Sequence, residues 1–140
     1  DSALIAKFYL NEPGRVAVRR IARSAGHAVS SGIATAEVAA AFHRKLREGA
    51  IAPATFRALH SQFTHDVRQQ VWRLIPPSDA VHNAVNTLFL TLDRSVFLRS
   101  LDAVHLVTAR AEGCTRIYTN DVRLLAACQY VGIEGVDPTR

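Results

Sequence analysis

No methionine occurs in the 140-residue sequence, and it contains only two cysteines and two lysines. Each shortage excludes something. Cys114 and Cys128 cannot build a disulfide framework and lack the paired spacing of a zinc knuckle, so they read as small apolar side chains in a reducing cytosol. No stretch reaches the roughly 18 consecutive apolar residues of a membrane span, and the chain does not open on a basic segment followed by an apolar one. Neither GxGxxG nor GxxxxGK[ST] follows a strand pattern, which argues against a nucleotide-binding oxidoreductase. The missing methionine leads us to expect further residues before Asp1, among them a first strand.

What is abundant is arginine. Basic residues number 17 against 12 acidic ones, a formal charge of +5, and all but Lys7 and Lys45 are arginines. Guanidinium groups pair well with phosphate, so the excess suits a polyanionic partner. The same bias also arises from genome base composition, and Arg19, Arg20 and Arg23 fit a solvated helix face equally well. With 49% hydrophobic residues the chain has enough apolar content for a core, and its length suits one domain over residues 1–140.

Apolar spacing and breakers predict alternating helices and strands. A helix from Ser2 to Asn11 stops at Glu12-Pro13-Gly14, and a second runs from Arg15 to Ala25. His27–Ser30 reads as a strand. Val38, Phe42 and Leu46 recur every four residues in a helix reaching Glu48, and Pro53 opens another carrying Phe56, Leu59 and Phe63. Val71–Ile75 is a second strand, after which Ser78 caps a helix to Leu92. A helix over Leu101–Ala111, a strand over Thr115–Thr119, a helix capped by Asp121 and a strand over Gly132–Val136 complete the chain. Such alternation is the signature of an α/β fold with a mainly parallel sheet.

Four acids stand where an apolar core would not place them. Asp1 directly precedes a helix and, if a strand leads into it, lies at a strand's C-terminal end, where open α/β sheets bind ligands. Glu37 sits in the small and apolar run Ile33–Ala41. Asp102 lies within Leu101–Val107, where an unpaired charge is costly to bury; Arg99 and His105, each three residues away, are its potential partners. Asp121 follows Ile117-Tyr118-Thr119-Asn120 at another strand end. Helix capping accounts equally well for Asp1 and Asp121, and a salt bridge for Asp102. Gathered together, however, four carboxylates repel and need a cation. Oxygen-only ligation suits magnesium, with manganese an alternative.

The opening Asp1-Ser2-Ala3-Leu4-Ile5, Ala36-Glu37-Val38, the stretch Leu98–Leu106 and Thr119-Asn120-Asp121 together resemble the PIN domain, and within it the VapC-type toxins of bacterial toxin–antitoxin pairs. The resemblance implies a three-layer α/β/α domain and a magnesium-dependent endoribonuclease centre. Asp1, Glu37, Asp102 and Asp121 match the family's four acids, and Thr119 matches its hydroxyl residue before the last. It also implies a cytoplasmic homodimer and a cognate antitoxin protein that blocks the site. Ala3 departs from the pattern, since the family usually carries a serine, threonine or asparagine there.

These residues outline an expected mechanism. Asp1, Asp102 and Asp121 hold the metal, while Glu37 binds it or positions the attacking water. Arg99 either approaches the RNA phosphate or pairs with Asp102, and Arg15, Arg19, Arg20 and Arg23 help seat the backbone. Two other functions remain open: a DNA or structure-specific nuclease of the same chemistry, and a basic binding module with a degenerate acidic pocket. His105 reads as structural, and the other five histidines form no metal-binding pair. Phe56, Phe63, Trp72, Phe89 and Phe97 read as core or interface.

Overall fold

A side-chain oxygen at the start of a helix satisfies one of the amides that the first turn leaves open. Asp1 does this for α1 (Ser2–Tyr9), its Oδ1 accepting the Leu4 amide at 3.1 Å. The computed structural model describes residues 1–140. After the Pro13-Gly14 break come α2 (Arg15–Ser24), β1 (Ala28–Ser31), α3 (Ala34–Arg47), α4 (Pro53–Arg68) and β2 (Trp72–Ile75). The second half holds α5 (Asp79–Thr91), α6 (Ser100–Ala111), β3 (Arg116–Tyr118), α7 (Val122–Ala127), a 3-10 turn over Cys128–Val131, and β4 (Glu134–Val136). These bounds lie close to those that periodicity and capping predict. Ser78 does cap α5, through a bond from the Val81 amide.

Both strand pairs are parallel, as the α/β reading requires. β1 lies beside β2 with Ala28 opposite Trp72 and Ser31 opposite Ile75, while β3 lies beside β4 with Arg116 opposite Glu134. Parallel neighbours need a crossover, supplied by α3 and α4 in the first pair and by α7 with its 3-10 turn in the second. The expected sheet is thus present as two separate two-stranded sheets. Their facing edges, β1 and β3, are held apart by an apolar slot of about 160 Å³ lined in part by Leu4, Ile5, Val29 and Ile117. At one end of the slot the Asp1 main-chain nitrogen donates to Tyr118 O at 2.9 Å.

Each sheet carries its own core. In the first half Tyr9, Phe42, Phe63 and Trp72 pack with Ile5, Ala34 and Val38. The rings of Tyr9 and Phe42, and of Phe42 and Phe63, meet edge to face, an arrangement that adds to the gain from burial alone. In the second half Leu88, Leu98, Leu106, Val107, Ile117 and Leu124 pack with Cys128 and Ile133. Burial pushes the Cys128 thiol up to about 11, so it behaves as an inert apolar group. Phe89 and Phe97 belong to neither core: both are exposed, and Phe97 instead lies beneath the Arg123 guanidinium at 4.5 Å. No helix is long and apolar enough to cross a membrane.

Candidate active site

Each of the four singled-out acids stands at the N-terminal end of a helix. Asp1 caps α1, Asp121 caps α7, Glu37 lies in the first turn of α3 and Asp102 in the first turn of α6. Unpaired amides and the aligned peptide dipoles make such ends favourable for negative charge. The fold brings all four to one cleft of about 630 Å³, shared with Ser2, Ala3, Arg99, Ser100, Leu101 and Asn120. Asp1 and Glu37 arrive with the first core, Asp102 and Asp121 with the second.

Thr119 joins two of them. Its buried hydroxyl donates to Asp1 Oδ2 and accepts from the Asp121 amide at 3.0 Å. Asp121 Oδ1 accepts the Arg123 amide at 2.8 Å, which leaves Oδ2 turned toward the cleft. There Arg99 Nη2 donates to it at 2.7 Å. The same guanidinium grips Asp102, with Nε 2.6 Å from Oδ2 and Nη2 3.3 Å from Oδ1. Hydrogen bonding and charge from Asp102 raise the Arg99 pKa above its already high ordinary value. Of the two partners open to Asp102 in the sequence, Arg99 is the one that pairs with it.

His105 turns elsewhere. It is buried on α6, its Nε2 lies 2.7 Å from Glu37 Oε2, and its Nδ1 lies 3.3 Å from Ser30 Oγ on β1. Burial would raise the Glu37 pKa, but the His105 hydrogen bond, the charge of that histidine and the Ser2 hydroxyl outweigh it. The carboxyl is held below its ordinary range. The structural role expected of His105 thus extends to the cleft. A signal was available: a histidine in an apolar helix needs a polar partner, and Glu37 was a lone acid in an apolar run. Ser2, rather than the residue at position 3, brings a hydroxyl into this corner.

The arginines of α2 are less uniform than the sequence suggests. Arg19 Nε donates to Phe8 O at 2.9 Å and its guanidinium covers the Phe8 ring, whereas Arg20 and Arg23 are exposed. Histidines 27, 43, 60, 65 and 82 are exposed and away from the cleft lining.

The donor set of the cleft is all oxygen, which fits a hard divalent cation such as magnesium or manganese and disfavours zinc. As the side chains stand, no three of the protein's histidine, cysteine, aspartate and glutamate groups are close enough together to hold an ion. The Arg99 guanidinium bridges Asp102 and Asp121 instead.

A family model described as PIN domain matches residues 1–129. No curated protein and no solved structure matches the chain.

Proposed function

The chain belongs to the PIN domain family, a nuclease-type fold, and from that premise we propose that it is a magnesium-dependent endoribonuclease acting as the toxin of a type II toxin–antitoxin pair. One observation carries the catalytic part: four carboxylates at four helix N-termini converge on a single cleft in a chain of net positive charge. Asp1, Asp102 and Asp121 would hold the ion, which would supply positive charge to offset the negative charge developing on the phosphoryl oxygens. Glu37, fixed by His105, orients the attacking water and takes its proton. Water oxygen bonds to phosphorus, the bond to the leaving ribose oxygen breaks, and that oxygen is protonated from solvent. Thr119 keeps Asp1 and Asp121 in register. Exposed Arg20 and Arg23 offer charge to the RNA backbone.

The test is Asp102→Asn, verified as folded by circular dichroism, assayed with magnesium on single-stranded RNA. We expect a loss of at least roughly 100-fold; undiminished cleavage would remove Asp102 from the mechanism. Parallel assays on duplex DNA and folded RNA separate the ribonuclease from a DNA or structure-specific nuclease. A binding module would retain RNA without cutting any of the three.

Partner binding is supported by exposed apolar side chains in the second half, Leu90, Phe97, Leu101 and Val122 among them. Exposed apolar side chains of this kind suit contact with a second copy or an antitoxin. Growth arrest on expression, relieved by the protein of an adjacent gene, tests the toxin role. The expected strand leading into Asp1 belongs to the same proposal. It would enter the slot between β1 and β3, which Asp1 and Tyr118 help to line. Extending the chain upstream should then raise the melting temperature.

A further inference from the structure

Arg99 occupies three carboxylate oxygens that nothing else in the protein holds. Asp102 Oδ1 and Oδ2 accept only from its guanidinium, and so does Asp121 Oδ2. The other acids are differently placed. Asp1 commits Oδ1 to the Leu4 amide and Oδ2 to Thr119, Glu37 commits Oε2 to His105, and Asp121 commits Oδ1 to helix amides. Apart from Glu37 Oε1, the oxygens that local structure leaves open for an external cation are therefore the ones that Arg99 covers.

The arginine itself is built to leave. Its backbone is fixed at the N-cap of α6, with its carbonyl accepting the Ala103 amide at 2.9 Å. Its side chain is 54% exposed, whereas those of Asp102 and Asp121 are 12% and 26% exposed. The guanidinium thus closes the cleft from the solvent side on a flexible stem, while its partners sit deeper. A single delocalised charge shared between two carboxylates is a weaker counter-ion for them than a compact divalent one. Once displaced, the guanidinium remains tethered at the cleft mouth, with a planar donor fork suited to phosphate oxygens.

We propose that Arg99 is an exchangeable counter-ion: it neutralises Asp102 and Asp121 while the cleft is free of metal, yields them to a divalent ion, and then binds the phosphodiester. This rests on the reading of the cleft as a metal site and adds to it a coupling. Because ion binding frees the arginine for phosphate, each ligand must strengthen the other, and the coupling is reciprocal.

The experiment measures Mn²⁺ affinity by electron paramagnetic resonance on the whole chain, with and without dimethyl phosphate, at fixed ionic strength. It compares the wild type with Arg99→Gln and Arg99→Lys, each checked for a native melting transition, and uses Asp102→Asn as the control for site occupancy. Arg99→Gln should bind Mn²⁺ at least about fivefold more tightly than the wild type, the lower end of ordinary coupling. Dimethyl phosphate should tighten Mn²⁺ binding in the wild type and have no effect in Arg99→Gln. Arg99→Lys should fall between them, since a point charge cannot bridge both carboxylates with the same geometry. Unchanged or weaker Mn²⁺ binding by folded Arg99→Gln, with Asp102→Asn still abolishing it, would overturn the exchange and leave the metal site standing. Absence of Mn²⁺ binding that depends on Asp102 in any variant would overturn both.

Discussion

His105 Nε2 lies 2.7 Å from Glu37 Oε2, a contact between residues 68 positions apart on helices that serve different cores. It fixes the direction of a carboxylate that would otherwise be free to swing at the cleft wall. The histidine is fixed in turn by Ser30 on β1, so the chain of contacts runs from a strand through α6 to the mouth of α3.

Replacing His105 with Phe should raise the Glu37 pKa, because burial then acts without the opposing hydrogen bond and charge. In the wild type the folded pKa is lowered. Glu37 therefore adds stability above its unfolded pKa of about 4.3 that is lost as pH falls through the folded value. His105→Phe should flatten that acid limb. Carboxyl titration by NMR decides the matter: a Glu37 still depressed in the variant would refute the assignment.

Thr119→Val keeps the shape of the side chain but leaves Asp1 Oδ2 and the Asp121 amide without their shared partner. We expect a loss of about 1–3 kcal/mol in urea unfolding. Metal affinity or cleavage should fall by roughly 10–100-fold. Thr119→Ser should recover most of both, since the hydroxyl is what matters.

The Tyr9 hydroxyl donates to Asp66 at 2.6 Å and accepts from the buried Trp72 indole at 2.6 Å. Burial, followed by the bond to Asp66, raises its pKa far above the ordinary 10.0. A raised folded pKa gives stability that is complete below the unfolded value and lost as pH rises beyond it. The wild type should thus weaken above about pH 10, and Tyr9→Phe should lack that alkaline slope. At neutral pH the variant should lose about 1–3 kcal/mol, because the indole N–H is stranded. Equal alkaline slopes for the two proteins would contradict this account.

A methyl group at Gly135 would stand 2.9 Å from Cys128 Sγ and 3.0 Å from Leu125 Cδ2. Gly135→Ala should therefore destabilise β4 against its crossover by about 1–3 kcal/mol. Adding Cys128→Ala removes the nearer obstacle, so the double variant should be less destabilised than the sum of the two single ones. Strict additivity in thermal unfolding would place the strain elsewhere.

Much of this arrangement could be read from the residues. Val38 and Phe42 do form one buried face of α3, and breakers such as Pro13-Gly14 do end helices, because local spacing and turn chemistry decide those features. The four acids were legible as misplaced charges, and the cleft that collects them supports that reading. Pairing was harder to read. Arg99 and His105 were equivalent neighbours of Asp102 along the helix, and only packing against β1 and α3 sends His105 to Glu37. The slot between β1 and β3 was likewise beyond pattern, since strand order depends on contacts distant in sequence. Phe89 and Phe97 read as core or interface by composition; the structure leaves both exposed and outside the two cores, with Phe97 facing only the Arg123 guanidinium.

The two cores meet along a seam where α6 packs on β1 and a small set of polar contacts crosses, Arg73 to Glu112 and Ser30 to His105 among them. Several of those that exist lie at the cleft: Thr119 to Asp1, His105 to Glu37, and the Asp1 nitrogen to Tyr118. The cleft therefore serves as the clasp of the molecule as well as its candidate centre of chemistry. A ligand gripping acids from both halves would tighten that clasp, and loss of the clasp would let each half loosen while keeping its own core. Opening at the seam would then dismantle the site well before either half unfolds, so inactivation should precede melting.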